Sequence, residues 1–218
     1  MNKNMKNFSK MGGLGLAGVL AFGASSAMAE DFTASADVQS TLTITIVNDL
    51  NFGTLFAATA SSGEVDSLTL APAGTFTTGP ETSTVVNLLS LGGAVQPAQG
   101  SVATSNVFTL DLPDDITSTT AGSINNDAGV TEMTIDGGDP DVAKFLVGNF
   151  TVGELVGGSD TGAGVAPDVE IDPDFGATEV SFNIGADVFT DDGAGDGGIR
   201  EAYEDGTYSG TFTVTASF

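Results

Sequence analysis

Thr207-Tyr208-Ser209-Gly210-Thr211-Phe212-Thr213-Val214-Thr215-Ala216-Ser217-Phe218 alternates without a break. Tyr208, Gly210, Phe212, Val214, Ala216 and Phe218 form one row, and Thr or Ser fills every position of the other. Successive side chains of an extended chain point to opposite faces, so this stretch reads as a β-strand with an apolar row for a core and a β-branched row for a half-exposed face. Phe32 to Ile46 has the same rhythm, with Phe32, Ala34, Ala36, Val38, Leu42, Ile44 and Ile46 on even positions, broken once at Ser40.

Between these ends the pattern predicts shorter strands at Ser67 to Leu70, Thr84 to Leu91, Asn106 to Leu112, Val130 to Ile135, Phe145 to Val152 and Glu179 to Ile184. Turn chemistry separates them: Gly92-Gly93, Asn125-Asn126-Asp127, Asp136-Gly137-Gly138-Asp139-Pro140, Gly157-Gly158-Ser159-Asp160 and the run from Asp191 to Gly198. No segment beyond residue 29 shows sustained helical spacing with caps, and no repeat has a fixed period. Many short strands with frequent turns predict an all-β antiparallel sandwich or barrel.

Composition narrows the chemistry. The chain of 218 residues has 29 Asp and Glu against 5 Lys and Arg, and no Cys, His or Trp. That excludes Ser-His-Asp and Cys-His catalysis, Cys/His zinc sites, His- or Cys-ligated haem, and iron-sulfur clusters. A glycosidase needs only two carboxylates, but 29 acids supply pairs by coincidence, and the aromatic platforms common in sugar sites are missing. The expectation is a protein that is not an enzyme. With 40% hydrophobic residues and 14 Phe, the charge does not make the chain disordered.

Residues 1–29 read as an export signal: Lys3, Lys6 and Lys10 at the start, a Gly-rich apolar core from Gly12 to Ala24, then the small-x-small pattern Ala27-Met28-Ala29. A spanning anchor needs about 20 strongly apolar residues, and this core is shorter. Cleavage leaves residues 30–218 as a single domain, with no further long apolar run for an integral membrane segment. Three of the five bases leave with the signal and none of the acids do, which takes the formal charge from −24 to −27. Such a surface repels nucleic acid and anionic headgroups. It is compatible with divalent cations, but carboxylates that serve solubility alone are the favoured account.

Two acidic stretches are candidates for calcium, which favours oxygen-rich clusters. Asp168, Glu170, Asp172 and Asp174 alternate with Val169, Ile171, Pro173 and Phe175, so an extended chain presents four carboxylates on one face. The plain alternative is an exposed sheet edge whose charges and Pro block further pairing. Asp191, Asp192 and Asp196 lie in a Gly-rich loop without the spacing or closing Glu of an EF-hand, and a turn explains the same residues.

Three motifs carry a resemblance. They are Leu42-Thr-Ile-Thr-Ile-Val-Asn-Asp-Leu50-Asn51-Phe52-Gly53-Thr54-Leu55, Phe182-Asn183-Ile184-Gly185-Ala186, and Asp205-Gly206-Thr207-Tyr208-Ser209-Gly210-Thr211-Phe212-Thr213-Val214-Thr215. The chain resembles the bacterial secreted, pilin-like family catalogued as domain of unknown function 4402, whose members run an alternating strand into L-x-F-G and close with G-x-Y-x-G-x-x-x-V. The resemblance covers about 45 residues at the ends; the middle matches in style alone. It implies an immunoglobulin-like antiparallel β-sandwich, self-association into fimbria-like surface filaments, an export chaperone or usher as partner, and a diderm bacterial envelope. Lacking Cys, the chain departs from disulfide-bearing chaperone-usher pilins. Turn plus core is the plain account of each motif residue.

An incomplete sandwich can accept an extended segment from a neighbour through main-chain hydrogen bonds and alternate apolar side chains. Residues 30–39, with Phe32, Ala34, Ala36 and Val38 as groove-filling side chains, are the candidate donor strand; the same segment serves equally as the first strand of its own monomer. The expected function is a secreted structural subunit of a surface fibre. A secreted acidic calcium-binding adhesin or matrix protein is the alternative. An outer-membrane barrel, which would show aromatic girdles, is disfavoured by two Tyr and no Trp.

Overall fold

The computed structural model describes residues 42–58, 65–78, 87–117, 124, 127–139, 141–191 and 202–218. The expected signal peptide, the donor candidates Phe32, Ala34, Ala36 and Val38, and the loop residues Asp192 and Asp196 lie outside them.

The described residues form β-strands and no α-helix. In chain order these are β1 (Ile44–Asn48), β2 (Asn51–Ala57), β3 (Ser67–Leu70), β4 (Phe76–Thr78), β5 (Leu88–Gln96), β6 (Ala98–Val102) and β7 (Phe108–Asp111). They continue with β8 (Thr131–Ile135), β9 (Phe145–Val156), β10 (Gly158–Asp160), β11 (Val169–Pro173), β12 (Val180–Thr190), β13 (Tyr208–Ser209) and β14 (Thr215–Ser217).

β12 organises the molecule because its residues suit two environments in turn. In its first half Val180, Phe182 and Ile184 are buried on one face while Ser181 is exposed. From Gly185 onward both faces are buried. Val188 joins the main core with Phe145, Val147 and Leu68, while Phe189 turns to a smaller cluster with Val65, Ile124 and Leu146. Each large apolar side chain withdrawn from water here stabilises the fold by about 1.5–3 kcal/mol.

The main sheet runs β1-β6-β12-β9-β8-β13, with β3 beside the second half of β12 and β4 beside β3. β6 and β3 share one long edge of β12: Val180 to Ile184 face β6, and Ala186 to Phe189 face β3. Gly185 stands at the changeover, where a Cβ would lie 2.2 Å from the Leu70 carbonyl oxygen, so only glycine lets the β3 chain leave over β12. A second sheet has the order β10-β11-β7-β14, and β2 with β5 forms a two-stranded ribbon. Every strand pairing is antiparallel. Phe108, Leu110 and Ile171 of the second sheet and Phe52 and Leu88 of the ribbon enter the same core as the main sheet. The architecture is sandwich-like, with one main core to which both sheets and the ribbon contribute and a second, smaller cluster around Phe189.

Expected and observed strands agree at β3, β7 and β8, and both β9 and β12 run beyond their expected ends. The start of the stretch at Thr84 to Leu91 lies outside the described residues; its strand continues as β5 through Gly92 and Gly93. That glycine pair is therefore not a turn. It takes positive φ inside the ribbon, where the β2–β5 register shifts around Thr54. β6 escapes a propensity reading because Ala98-Gln99-Gly100-Ser101-Val102 is poor in β-branched residues; neighbours on both sides recruit it. β11 is flanked by β10 and β7, so its acidic row is not a sheet edge.

The last twelve residues differ most from expectation. The stretch 207–218 is not one strand: β13 pairs with β8 in the main sheet, β14 pairs with β7 in the second, and residues 210–214 between them join no ladder among the described residues.

Candidate functional site

Those unpaired residues form one wall of an apolar cleft of about 980 Å³. The floor is the inner face of the main sheet, from Gly100 on β6 through Phe182 and Ile184 on β12 and Val147 on β9 to Met133 on β8. The opposite wall is β1, with Ile44 and Ile46 lining the space and Leu42 beside them. β1 and β13 are the two ends of the main sheet's strand order, and β14 ends the order of the second sheet. Both walls are therefore sheet edges or their continuation, places where a backbone presents N–H and C=O groups outward.

Side chains, rather than a ladder, hold the C-terminal wall. The Phe212 ring stacks on Phe150 with centroids 4.5 Å apart. Tyr208 packs edge-on against Phe145 at 5.0 Å, and Tyr203 stacks on the same ring at 4.6 Å. The Tyr208 hydroxyl accepts from Glu204 N at 3.0 Å and donates to Glu204 O at 3.2 Å, closing the turn ahead of β13. Tyr203 is tied in the same way, its hydroxyl donating to Lys144 O at 3.0 Å and accepting from Asp191 N at 2.8 Å. The glycines on either side of Tyr208 permit this approach. A Cβ on Gly210 would lie 2.3 Å from Glu132 O, and one on Gly206 would lie 2.5 Å from Ile135 Cδ1.

All three motifs singled out in the sequence meet at this cleft: Leu50 and Phe52 from the first, Phe182 and Ile184 from the second, Tyr208, Gly210, Phe212 and Val214 from the third. Read one at a time, each residue is turn or core. Their convergence depends on pairings between distant segments, and the shared signal in the sequence is that each motif puts apolar residues two apart beside a glycine.

Ile46 is 73% exposed at the β1 wall. A second exposed apolar strip lies on the ribbon, where Phe56 faces Leu89 across the strands and Leu91 follows on the same side.

The acidic candidates take other roles. Asp168 Oδ1 accepts from Leu112 N at 3.1 Å, and Glu170 Oε1 accepts from Thr161 Oγ1 at 2.8 Å. Asp172 and Asp174 are exposed. Asp191 is buried, and its Oδ2 accepts from Lys144 N at 3.3 Å. Among the described residues no three carboxylates converge on a point that could hold a metal ion. Elsewhere, Asp127 is clamped by the Thr117 hydroxyl at 2.7 Å, by Gly129 N at 3.1 Å and by Thr117 N at 2.9 Å. These donors, the hydroxyl foremost, hold its carboxyl below the ordinary aspartate value. Lys144 pairs with Glu132 at 2.7 Å.

No helix among the described residues is long and apolar enough to cross a membrane. No family model, curated protein or solved structure matches the chain.

Proposed function

We propose that the chain is an exported structural subunit of a fimbria-like surface fibre, folded as an immunoglobulin-like sandwich that lacks one strand. One observation carries this reading: among the described residues, the clearest strand pattern in the sequence, residues 207–218, has no ladder partner at 210–214 and lies across an apolar cleft from the edge of β1 that no described strand covers. An open edge beside exposed apolar surface is the arrangement by which β-proteins add strands from other chains. The export pattern of residues 1–29, the excess of acidic residues that suits a soluble secreted surface, and the resemblance of the terminal motifs to a pilin-like family support the same reading.

Negative-stain microscopy and sedimentation of the native secreted fraction test it. Ordered filaments that return after dilution and reconcentration are expected. Monodisperse monomer at every concentration reached would overturn it.

A further inference from the structure

We propose that the outward face of the β2–β5 ribbon pairs with the same face of a second copy of this chain, related by a two-fold axis, through Phe56, Leu89 and Leu91. The pairing stands apart from the fibre reading, because a two-fold contact uses one patch on both copies and stops at two.

The ribbon has an inner and an outer face. Phe52 and Leu88 turn into the main core, whereas Phe56, Leu89 and Leu91 remain 52%, 49% and 61% exposed. Phe56 lies opposite Leu89 in the ladder, and Leu91 follows on the same side at the register shift, with exposed Thr54 beside it. With about half of each large side chain in water, the strip presents roughly 300 Å² of apolar surface. A patch of that size is the largest an ordinary monomer shows, and such patches mark contact sites.

Charge decides the occupant. Residues 50–63 and 82–110, which include both strands of the ribbon, hold no Asp, Glu, Lys or Arg, in a chain of formal charge −24. Exposed apolar residues elsewhere have carboxylates beside them: Phe175 follows Asp174, Val156 stands two residues from Glu154, and Val47 two from Asp49, each of these acids exposed. Two copies approaching through those places bring like charges together as water is removed, which costs free energy. Ribbon against ribbon brings none. A basic partner finds no carboxylate on the strip to pair with, and an anionic membrane is repelled by the rest of the molecule. The strip therefore matches itself, apolar against apolar with no charge on either side.

Stacked face to face, two ribbons would lie about 10 Å apart, the spacing of packed sheets. Phe56 of each copy then meets the Leu89–Leu91 row of the other, so every residue counts twice. The patch is smaller than a tight dimer needs, which places the dissociation constant in the micromolar range or weaker. Where copies are crowded, the contact joins them side by side.

Sedimentation equilibrium of the full-length protein, from about 1 μM to about 1 mM, tests the pairing. Any filaments are pelleted first, so the result does not depend on whether fibres form. A monomer–dimer equilibrium is expected, and it should strengthen as NaCl rises from about 0.05 to about 0.5 M, because salt screens the repulsion between acidic copies. Phe56→Asp and Leu91→Asp should each raise the dissociation constant roughly tenfold or more, since each puts a carboxylate on both sides of the contact. Both positions are exposed, and Leu91→Gln, which adds no charge, should weaken pairing less. The chain has no Cys, so single-Cys variants report the symmetry. At least one of Thr54→Cys, Leu89→Cys and Leu91→Cys should form a disulfide with its own counterpart in the other copy faster than Ser159→Cys, exposed on β10. Monomer at every concentration would overturn the proposal, as would a dimer that survives both Asp variants, or strip cysteines that link no faster than Ser159→Cys. A monomer that instead binds phosphatidylcholine vesicles, and loses that binding with Leu91→Asp, would assign the strip to a lipid surface and overturn it as well.

Discussion

Asn149 Nδ2 donates to Asp187 Oδ2 at 2.9 Å, across the point where β9 carries one residue more than β12. The extra residue forces a bulge, and Asn149 sits in it with φ of 49°, a conformation that Asn tolerates better than most side chains. Its Oδ1 accepts from Ile116 N at 2.9 Å, while Asp187 Oδ1 accepts from Thr69 Oγ1 at 2.5 Å. One buried carboxylate thus ties β3, β9 and β12 together.

Asp187→Ala should therefore cost about 2–4 kcal/mol, because it leaves the Thr69 hydroxyl and the Asn149 amide without their acceptor in a mostly buried place. Asn149→Ala should be worse than Asn149→Gly by about 1 kcal/mol, since both lose the side-chain bonds but Ala also bears the positive-φ penalty. Denaturant melts of the three variants check both the size and the order.

Glu154 marks the second bulge of β9, with φ of 50° and an exposed side chain. Glu154→Gly is expected to stabilise the fold by roughly 0.5–1 kcal/mol, because relief of the left-handed strain outweighs the entropy that glycine adds to the unfolded chain. A lower denaturation midpoint would show that the carboxylate has a role beyond occupying the bulge.

At the C-terminal wall, Tyr208→Phe should cost about 1 kcal/mol through loss of the hydroxyl that closes the Glu204 turn. Gly210→Ala should cost several times as much, on the order of 3 kcal/mol, because its methyl would overlap the Glu132 carbonyl and push the wall from the sheet. Thermal melts of the soluble variants separate the two effects.

Asp127 gives a pH dependence with a definite sign. Its folded-state carboxyl lies below the ordinary aspartate value, so its contribution is present above the ordinary range and is lost as pH falls through the folded value. Because Asp127 is only half-buried, solvent screens these bonds, and the effect of Asp127→Asn should stay under about 1 kcal/mol. Wild type and variant should differ at neutral pH and converge in acid. A difference that grew on acidification would contradict the assignment.

The sequence made the fold class legible because period-two alternation is a local property, and it survives at β3, β7, β8 and β12. What it could not convey was pairing. Residues 207–218 alternate throughout, yet whether an alternating stretch finds a neighbour depends on edges supplied by residues a hundred or more positions away. β6 shows the converse, a stretch with little strand character made into a strand by β1 and β12. The cleft was illegible for the same reason: Phe182 and Phe212 each look like ordinary core residues until the sheets bring them to one space.

The strand order also implies a sequence of events in time. Met133 faces Phe145 and Ser181 faces Val156, so the β8–β9–β12 heart closes short loops, whereas β1 and β13 join only after long stretches of chain have been gathered in. Late-joining edges with few ladder bonds occupy the low end of a protein's local stability scale. In native-state hydrogen exchange, amides of residues 210–214 and of the outer edge of β1 should exchange through small openings, and those of β12 should wait for global unfolding. A newly made copy would then pass through a stage in which its heart is folded while the two sides of its cleft are still closing.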